Sequence, residues 1–315
     1  MGGFSLKFIV LINHAVTKYL PAWIVISALF AYWVPSLFNP LMDWTGFMLG
    51  FILFLMGLTI PAASISYVFK QPRTVLFGVV FKWTFTVLLT IGLGMLFLRQ
   101  HHEILAGFIL AGSVPSATAA SLYTFIADGT VILSITMSVV DTLISPILTP
   151  FIMEHAVGHL IPIDYLSLVS QMLMIVLLPI LAGMAIKRYL PSFVDRVRPA
   201  VRFCSSITLI AIVLSVVAGS QALIKVNLKL LPILILITIA QIILPMIAVF
   251  AVSRKLKINP MDSKAILFEA GLCNTALAAI LAINHISFLA AVPAVINTVL
   301  NLSLGAWIAA KLGKI

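Results

Sequence analysis

Charged residues are scarce in this chain: Asp, Glu, Lys and Arg together make up only 9% of its 315 residues. A soluble globular domain carries about 25% charged residues, so this chain lacks the polar side chains needed to cover a water-facing surface. Hydrophobic residues make up 62% of the sequence, and the mean hydropathy is +1.21. They extend over the whole length, which excludes a soluble enzyme held by one anchor. The composition predicts an integral protein of the lipid bilayer.

Cysteine is almost absent, and the two that occur, Cys204 and Cys273, lie in apolar stretches, so no disulfide framework is predicted. The six histidines fall at predicted span ends or in loops, without the HExxH or Cys/His spacing of a metal site. The GxxxxGK[ST] motif of ATP-hydrolysing proteins is missing too. We therefore expect no cofactor, and a gradient-driven carrier is favoured over a pump.

Acidic residues are fewer than basic ones, and the formal net charge is +10. In a soluble protein this excess would suggest nucleic acid, but membrane proteins concentrate Lys and Arg in their cytoplasmic loops. If the N-terminus is cytoplasmic, fifteen basic residues face the cytoplasm and three face the other side. This asymmetry predicts that both termini are cytoplasmic, and it explains the charge without a nucleic-acid partner.

Long apolar segments divide the chain into ten predicted spans of about 20 residues, the length that crosses a hydrocarbon core of ~30 Å. The predicted spans are 19–39, 44–66, 74–98, 104–127, 130–153, 164–186, 199–222, 230–252, 262–283 and 288–310. Ten spans form two halves of five, and an odd number reverses the direction of the second half. The pattern predicts an all-α polytopic membrane protein with ten transmembrane helices in two inverted five-helix repeats.

Spans four and nine are equivalent members of the two halves, and each has helix-breaking residues near its middle. Pro115 lies in the fourth span, and Glu269, Gly271 and Asn274 lie in the ninth. An interior Pro or Gly frees backbone groups that neighbours or a bound ion must satisfy inside a bilayer. Two tolerated kinks would explain the same residues, but the matched positions favour broken helices 4 and 9 that cross at a binding site.

Three charged residues lie deep within predicted spans, away from the span ends: Lys82, Asp141 and Glu269. At a rise of about 1.5 Å per residue they lie roughly 10–17 Å from the cytoplasmic ends of their spans, at a similar level near the midplane. Translocon scales put the cost of such a charge at about 2.5–3.5 kcal/mol, so the three residues must face inward and be paired. A structural ion pair is one interpretation; an ion or proton site is the commoner role.

Hydroxyl and amide side chains accompany these charges. Ser134, Ser138 and Asp141 follow the i, i+4, i+7 spacing of one helical face, which favours an oxygen-lined cation or proton site over serines bonded only to their own helix. Asn297 and Asn301 lie one turn apart in the tenth span. They are suited equally to binding a substrate and to joining two helices.

Three blocks of the sequence resemble the bile acid:sodium symporter family, especially its bacterial ten-helix members. The blocks are MGLTI at span two, GSVPSATAASLYTFIADGTVILSITMSVVDTLISPILTP over spans four and five, and FEAGLCNTALAAILA in span nine. The resemblance covers nearly the whole chain. It implies a symporter of small organic anions, such as bile acids, steroid sulfates or pantoate-like acids, in the bacterial inner membrane. It also implies a panel domain of approximately 1–70 and 160–225, and a core domain of approximately 71–159 and 226–315.

The family holds two sodium ions at the crossover of spans four and nine. The resemblance implies a first cation site at Ser121, Ser134, Ser138 and Glu269, with Ser134, Ser138 and Glu269 as metal ligands. Ala120 and Ser121 stand where the family has Ser and Asn, so two side-chain ligands are lost or weakened.

The second cation site is altered at Lys82, Glu269 and Cys273. Lys82 and Cys273 stand where the family has glutamines, and a hard cation prefers oxygen to an ammonium or a thiol. We hypothesise that Lys82 replaces the second sodium ion and pairs with Glu269, while Asp141 binds one Na⁺ or H⁺ at the first site. The sequence leaves pairing of Lys82 with Asp141 open as the alternative. Two acids and one base leave a net charge of −1, which one such cation neutralises.

The resemblance places the substrate at Thr118, Asn274 and Asn301, and the helical spacing adds Asn297. The N-termini of half-helices carry partial positive charge, which suits a carboxylate or sulfate. Three other functions are open. A sodium-independent uniporter or exporter would use Lys82 in place of a sodium ion, an intramembrane enzyme would use Asp141 and Glu269 as a dyad, and a sensor would bind an anion without moving it.

Overall fold

A computed structural model of the protein describes residues 20–226 and 228–313. Lys7, Lys18 and Lys314, which belong to the predicted cytoplasmic set, lie outside the described residues, as does residue 19 at the start of the first predicted span. The elements in chain order are α1 (Leu20–Trp33), α2 (Pro35–Phe38), a 3-10 helix (Asn39–Trp44), α3 (Thr45–Thr59), α4 (Ala62–Lys70), α5 (Pro72–Phe81), a π-helix (Lys82–Thr86), α6 (Val87–Phe97), α7 (His102–Gly112), α8 (Ala119–Ile126), α9 (Val131–Val157), α10 (Tyr165–Met172), a second π-helix (Leu173–Leu177), α11 (Leu178–Tyr189), α12 (Pro191–Val226), a 3-10 helix (Leu228–Leu230), α13 (Leu231–Lys255), α14 (Pro260–Gly271), α15 (Thr275–His285) and α16 (Phe288–Leu312).

The described part of the chain contains helices and no strand, which confirms the all-α prediction. Seven helical stretches among these residues are long and apolar enough to cross a membrane: Pro35–Thr59, Pro72–Phe97, Val131–Val157, Tyr165–Tyr189, Phe203–Ala222, Leu231–Lys255 and Phe288–Leu312. Shorter apolar helices cover Ala22–Trp33, His102–Gly112 and Thr275–His285, which overlap predicted spans one, four and nine. The protein is a multi-pass membrane protein, and the ten-helix inverted repeat stays a prediction.

The second predicted span, 44–66, is too long. The helix ends at Thr59, and a new helix begins at Ala62 after Pro61, whose backbone is extended at φ −69° and ψ 140°. Proline has no N–H to continue a helix and disfavours helical geometry in the residue before it. The apolar composition continues past this point, which is why hydropathy alone misses the boundary.

The chain forms two compact units. The first comprises the described residues up to Thr59 together with Met174–Gln221, and the second comprises Ile60–Leu173 and the described residues from Ala222 onward. Within the first unit, α3 packs closely along α11, because a Cβ atom on Gly57 would lie 3.1 Å from the Cα atom of Gly183. Small residues allow helix backbones to approach in a membrane, where apolar burial adds little.

In the second unit the long helix α9 contacts α4, α8 and α14, while α16 packs against both α7 and α15. This arrangement puts α9, which carries Ser134, Ser138 and Asp141, beside the interrupted segments of the fourth and ninth predicted spans. The buried polar side chains discussed below all belong to this unit.

The contact between α7 and α16 requires glycine at Gly107. A Cβ atom there would lie 2.9 Å from the Cα atom of Ala290 and closer still to its carbonyl group. We expect Gly107→Ala to lower the free energy of unfolding by about 1–3 kcal/mol, because a backbone must move to admit the methyl group. Gly92→Ala is the control, because no atom lies within 4 Å of its Cβ position and alanine favours a helix. Equal thermal unfolding of the two purified variants would contradict this close packing.

Candidate functional site

Both of the helices expected to be broken are interrupted. Residues 113–118, which include Pro115, separate α7 from α8, and residues 272–274 separate α14 from α15. Gly271 ends α14 at a crowded point, where a Cβ atom would lie 3.0 Å from the Ile242 carbonyl oxygen and would overlap Met246. The first interruption contains a proline, which has no backbone N–H to donate, and the second follows a glycine at a position too crowded for a Cβ atom.

The two interrupted segments pair with each other. Ser116 and Cys273 form an isolated antiparallel β-bridge. Main-chain hydrogen bonds flank it, one of 2.9 Å from the Ala117 N–H to the Leu272 carbonyl and one of 2.7 Å from the Asn274 N–H to the Pro115 carbonyl. Each segment therefore satisfies backbone groups that the other loses when its helix stops, as a low-dielectric interior requires.

Asp141 receives three donors beside this junction. The Lys82 ammonium and the Trp83 indole N–H donate to its two carboxylate oxygens, and the Ser116 main-chain N–H donates at 2.7 Å. Lys82 and Asp141 are buried, with only 1% and 2% of their surfaces exposed. The hypothesis that Lys82 pairs with Glu269 is wrong, because Asp141 rather than Glu269 receives the ammonium. Asp141 is correspondingly engaged by protein donors instead of lying open to a cation.

A π-helix positions two of these donors. Lys82 begins the π-helix between α5 and α6, and Trp83 follows it. Consecutive residues on a regular helix do not face the same side, yet both side chains reach Asp141. Thr86, at the end of the π-helix, donates to the Ala270 carbonyl at 3.0 Å. Such wide turns often occur at functional sites.

Glu269 differs from Asp141, because its hydrogen-bond partners among the described residues are hydroxyl groups. Its carboxylate accepts hydrogen bonds from Ser134 and, at 3.0 Å, from Ser138. Ser121 lies 3.0 Å from the Ser134 hydroxyl, and Ser116 lies 3.3 Å from the Ser138 hydroxyl. Each serine hydroxyl has one proton to donate. Because Ser134 and Ser138 donate theirs to Glu269, they accept hydrogen bonds from Ser121 and Ser116.

Glu269 has no partner of opposite charge among the described residues. The side chain is 1% exposed, and no basic residue of the described ranges forms a salt bridge with it. The Lys82–Asp141 pair is neutral overall, which leaves a net charge of −1 for the three buried ionisable groups. Hydroxyl and carboxylate oxygens are ligands that suit hard cations, and their lone pairs here are available to one.

The structure places three of the four predicted substrate residues at the interrupted segments and the fourth elsewhere. Thr118 is exposed and directly precedes α8, while Asn274 is half-buried and caps α15 by accepting the Leu277 N–H at 3.2 Å. Asn301 is buried, and its amide donates to the Cys273 carbonyl at 2.8 Å. These three residues of the prediction lie at or against the interrupted segments.

Asn297 belongs to a separate buried network. Its amide donates to Gln241 on α13 at 2.8 Å, and the Gln241 amide donates at 3.2 Å to Thr90 and at 3.1 Å to the Phe108 carbonyl. This network joins α6, α7, α13 and α16. The sequence reasoning missed Gln241 as well as Trp83 and Ser116. The available signal was that an amide in an apolar span and an indole beside a charged residue each need a partner.

A family model described as "Sodium Bile acid symporter family" matches residues 46–227. The chain belongs to the sodium bile acid symporter family. One relative, named "Uncharacterized sodium-dependent transporter YocS", from Bacillus subtilis (strain 168), is 32% identical over 289 residues, which cover 91% of this chain and 88% of the relative. Another, named "Probable sodium/metabolite cotransporter BASS1, chloroplastic", from Arabidopsis thaliana, is 28% identical and covers 96% of this chain and 75% of the relative. These sodium bile acid symporter family relatives are named as transporters, which agrees with the prediction that the chain is not an enzyme.

If the oxygens around Glu269 hold a cation in this member of the sodium bile acid symporter family, Ser138→Ala should weaken cation affinity by roughly tenfold or more. The substitution removes one neutral oxygen that lies 3.0 Å from the carboxylate and that a bound cation would use as a ligand; a tenfold loss corresponds to about 1.4 kcal/mol. Ser145→Ala is the matched control on the same buried helix, because the Ser145 hydroxyl donates only to the local Thr142 carbonyl. Sodium titration of thermal stability measures both variants. An equal loss of affinity in the two would contradict a specific role for Ser138.

Proposed function

We propose that this protein is a symporter that moves a small organic anion across the membrane by alternating access, coupled to one monovalent cation. The observation that carries the proposal is Glu269, a buried carboxylate whose partners in the described chain are hydroxyl groups. A lone carboxylate inside a membrane is costly, so a cation or proton must accompany it. The names of the relatives, which include sodium-dependent transport and sodium/metabolite cotransport, support sodium as that cation.

The proposed cation site consists of Ser121, Ser134, Ser138 and Glu269. Glu269 supplies the charge, and the serines supply neutral oxygens within hydrogen-bonding distance of it or of one another. A proton on Glu269 would neutralise the same charge, so the geometry accommodates H⁺ as an alternative to Na⁺. Asp141 is not part of the proposed cation set, because both of its oxygens already accept protein donors.

The proposed anion site lies at the starts of α8 and α15. Thr118 precedes α8 without a side-chain cap, and the Ala120 N–H donates to the Ala117 carbonyl at 3.0 Å. We assign the other N–H groups of the first turn to a carboxylate or sulfate. Asn274 occupies the equivalent place before α15, and Asn301 supports it through the Cys273 carbonyl. Bile acid-like, steroid sulfate-like and pantoate-like anions all carry such a group. Asn297 remains a predicted contributor, with its amide engaged by Gln241.

The membrane placement is also a proposal. The bacterial relative and the distribution of basic residues support a bacterial plasma membrane with both termini cytoplasmic. We assign the panel role to approximately 1–70 and 160–225, and the core role to approximately 71–159 and 226–315. The interrupted helices in equivalent halves support two inverted five-helix repeats, because such repeats place broken helices at corresponding positions.

Uptake by proteoliposomes tests the proposed function. Taurocholate, a steroid sulfate and pantoate are supplied separately, with an inward gradient of sodium, of choline, or of protons. We expect one of the anions to accumulate only when sodium or protons supply the gradient. Transport of an anion that needs neither gradient would establish a uniporter instead. Binding of the anion without any exchange across the membrane would indicate a sensor.

A further inference from the structure

We propose that the Lys82 ammonium is a fixed internal cation at the junction of the two interrupted helices, and that it limits the transporter to one coupled cation. This inference rests on the proposed function, because it sets the cation number of the same transport cycle. Lys82 is nearly inaccessible, and its ammonium contacts the Asp141 carboxylate and, at 3.0 Å, the Val114 carbonyl oxygen.

The carbonyl groups at the interruptions show why the position of Lys82 matters. A helix that stops inside a membrane frees carbonyl oxygens, which a donor or a cation must satisfy. Protein donors satisfy six of them, at Ser113, Val114, Pro115, Ala270, Leu272 and Cys273. Hydroxyl, amide or main-chain N–H groups serve five of the six, and the donor to Val114 is the charged Lys82. The ammonium therefore occupies the coordination place that a free cation would otherwise take at this junction.

The ligands of the ammonium resemble those of a bound cation. An ammonium has three N–H donors, and here one carboxylate oxygen and one carbonyl oxygen accept from it. Its nitrogen also lies 5.0 Å from the centre of the Trp83 ring, which attracts positive charge. Since Lys82 is covalently attached, its charge cannot leave with the substrate, and it neutralises Asp141 throughout the cycle.

The number of mobile cations then follows from the charges of three residues. Lys82 balances Asp141, and Glu269 is left with one negative charge. Removal of the Lys82 charge should create a place for a second mobile cation beside Asp141 and Val114. Removal of the Asp141 charge instead leaves Lys82 to balance Glu269, and no mobile cation is needed. Removal of both charges leaves Glu269 without a balancing charge again, so one mobile cation is needed.

Four full-length proteins test this relation: the wild type, Lys82→Gln, Asp141→Asn and the double variant. The number of sodium ions bound per chain is measured by equilibrium binding of radioactive sodium. An indicator dye follows proton uptake or release, so that a bound proton is included in the number of cations. We expect one cation for the wild type, two for Lys82→Gln, none for Asp141→Asn and one for the double variant.

Different failures separate this inference from the proposed function. Two cations bound by the wild type, or one bound by Lys82→Gln, would overturn the fixed-cation role while cation coupling stands. Undiminished cation binding by Asp141→Asn would overturn it as well. No cation bound by any of the four proteins would overturn the coupling itself. If Lys82→Gln does not fold, the test still rests on the wild type, on Asp141→Asn and on the double variant, in which two amides replace the ion pair.

Discussion

Replacement of Glu269 by Gln is expected to abolish cation-dependent transport and to lower cation affinity by about 100-fold or more. Loss of the charge removes the main attraction in a buried site, and losses of about 2–5 kcal/mol are usual when one member of a desolvated charge pair is removed. The amide keeps the size of the side chain and one acceptor for Ser134 or Ser138. Uptake into proteoliposomes under a sodium or proton gradient is the measurement.

The matched control for this substitution is Glu154→Gln. Glu154 lies on the exposed end of α9, where its charge is solvated and neutral substitution should leave transport close to wild type. Glu269→Gln should also unfold no more easily than the wild type in the absence of cations, because it removes an uncompensated buried charge. Cation-dependent uptake that survives in Glu269→Gln would contradict the assignment of this carboxylate.

Lys82→Met is expected to be the most destabilising substitution at the site. It leaves the Asp141 carboxylate buried without its ammonium partner, and such losses reach about 3–5 kcal/mol. The double variant Lys82→Met with Asp141→Leu should recover most of this free energy of unfolding, because apolar residues that replace both partners are commonly tolerated. A double-mutant cycle at low salt measures the difference.

Lys264→Met provides the comparison for that cycle. The Lys264 ammonium donates to the Leu312 carbonyl at 3.0 Å near the end of α16, and its side chain is half-buried. Loss of this bond should lower the free energy of unfolding by about 1 kcal/mol. If Lys82→Met costs no more than Lys264→Met, or if the effects of the Lys82 and Asp141 substitutions simply add, the buried pair does not stabilise the junction.

Much of the membrane architecture is predictable because the bilayer imposes long apolar helices. Composition alone predicts a polytopic helical protein, and Pro115 and Gly271 indicate where two helices stop. The end of α3 at Thr59 is missed because the next residues are equally apolar and only Pro61 marks the boundary. Hydropathy also gives no sign of the π-helix, because apolar composition does not distinguish a wide turn from a regular one.

The predicted and observed partners of Lys82 differ. Lys82, Asp141 and Glu269 share one predicted depth, so depth does not decide which acid receives the ammonium. The structure decides it through neighbours, since Trp83 and the Ser116 N–H also donate to Asp141. The serine stripe on α9 was predictable, but its two serines face Glu269 while Asp141, on the same stripe, faces Lys82.

The number of cations bound per chain, and its dependence on Glu269, tests the central claim most directly. Calorimetric titration of the purified protein with sodium, repeated at several pH values so that a displaced proton is counted, gives this number. We predict one cation per chain for the wild type and none for Glu269→Gln. Two cations in the wild type, or one that persists in Glu269→Gln, would contradict the claim.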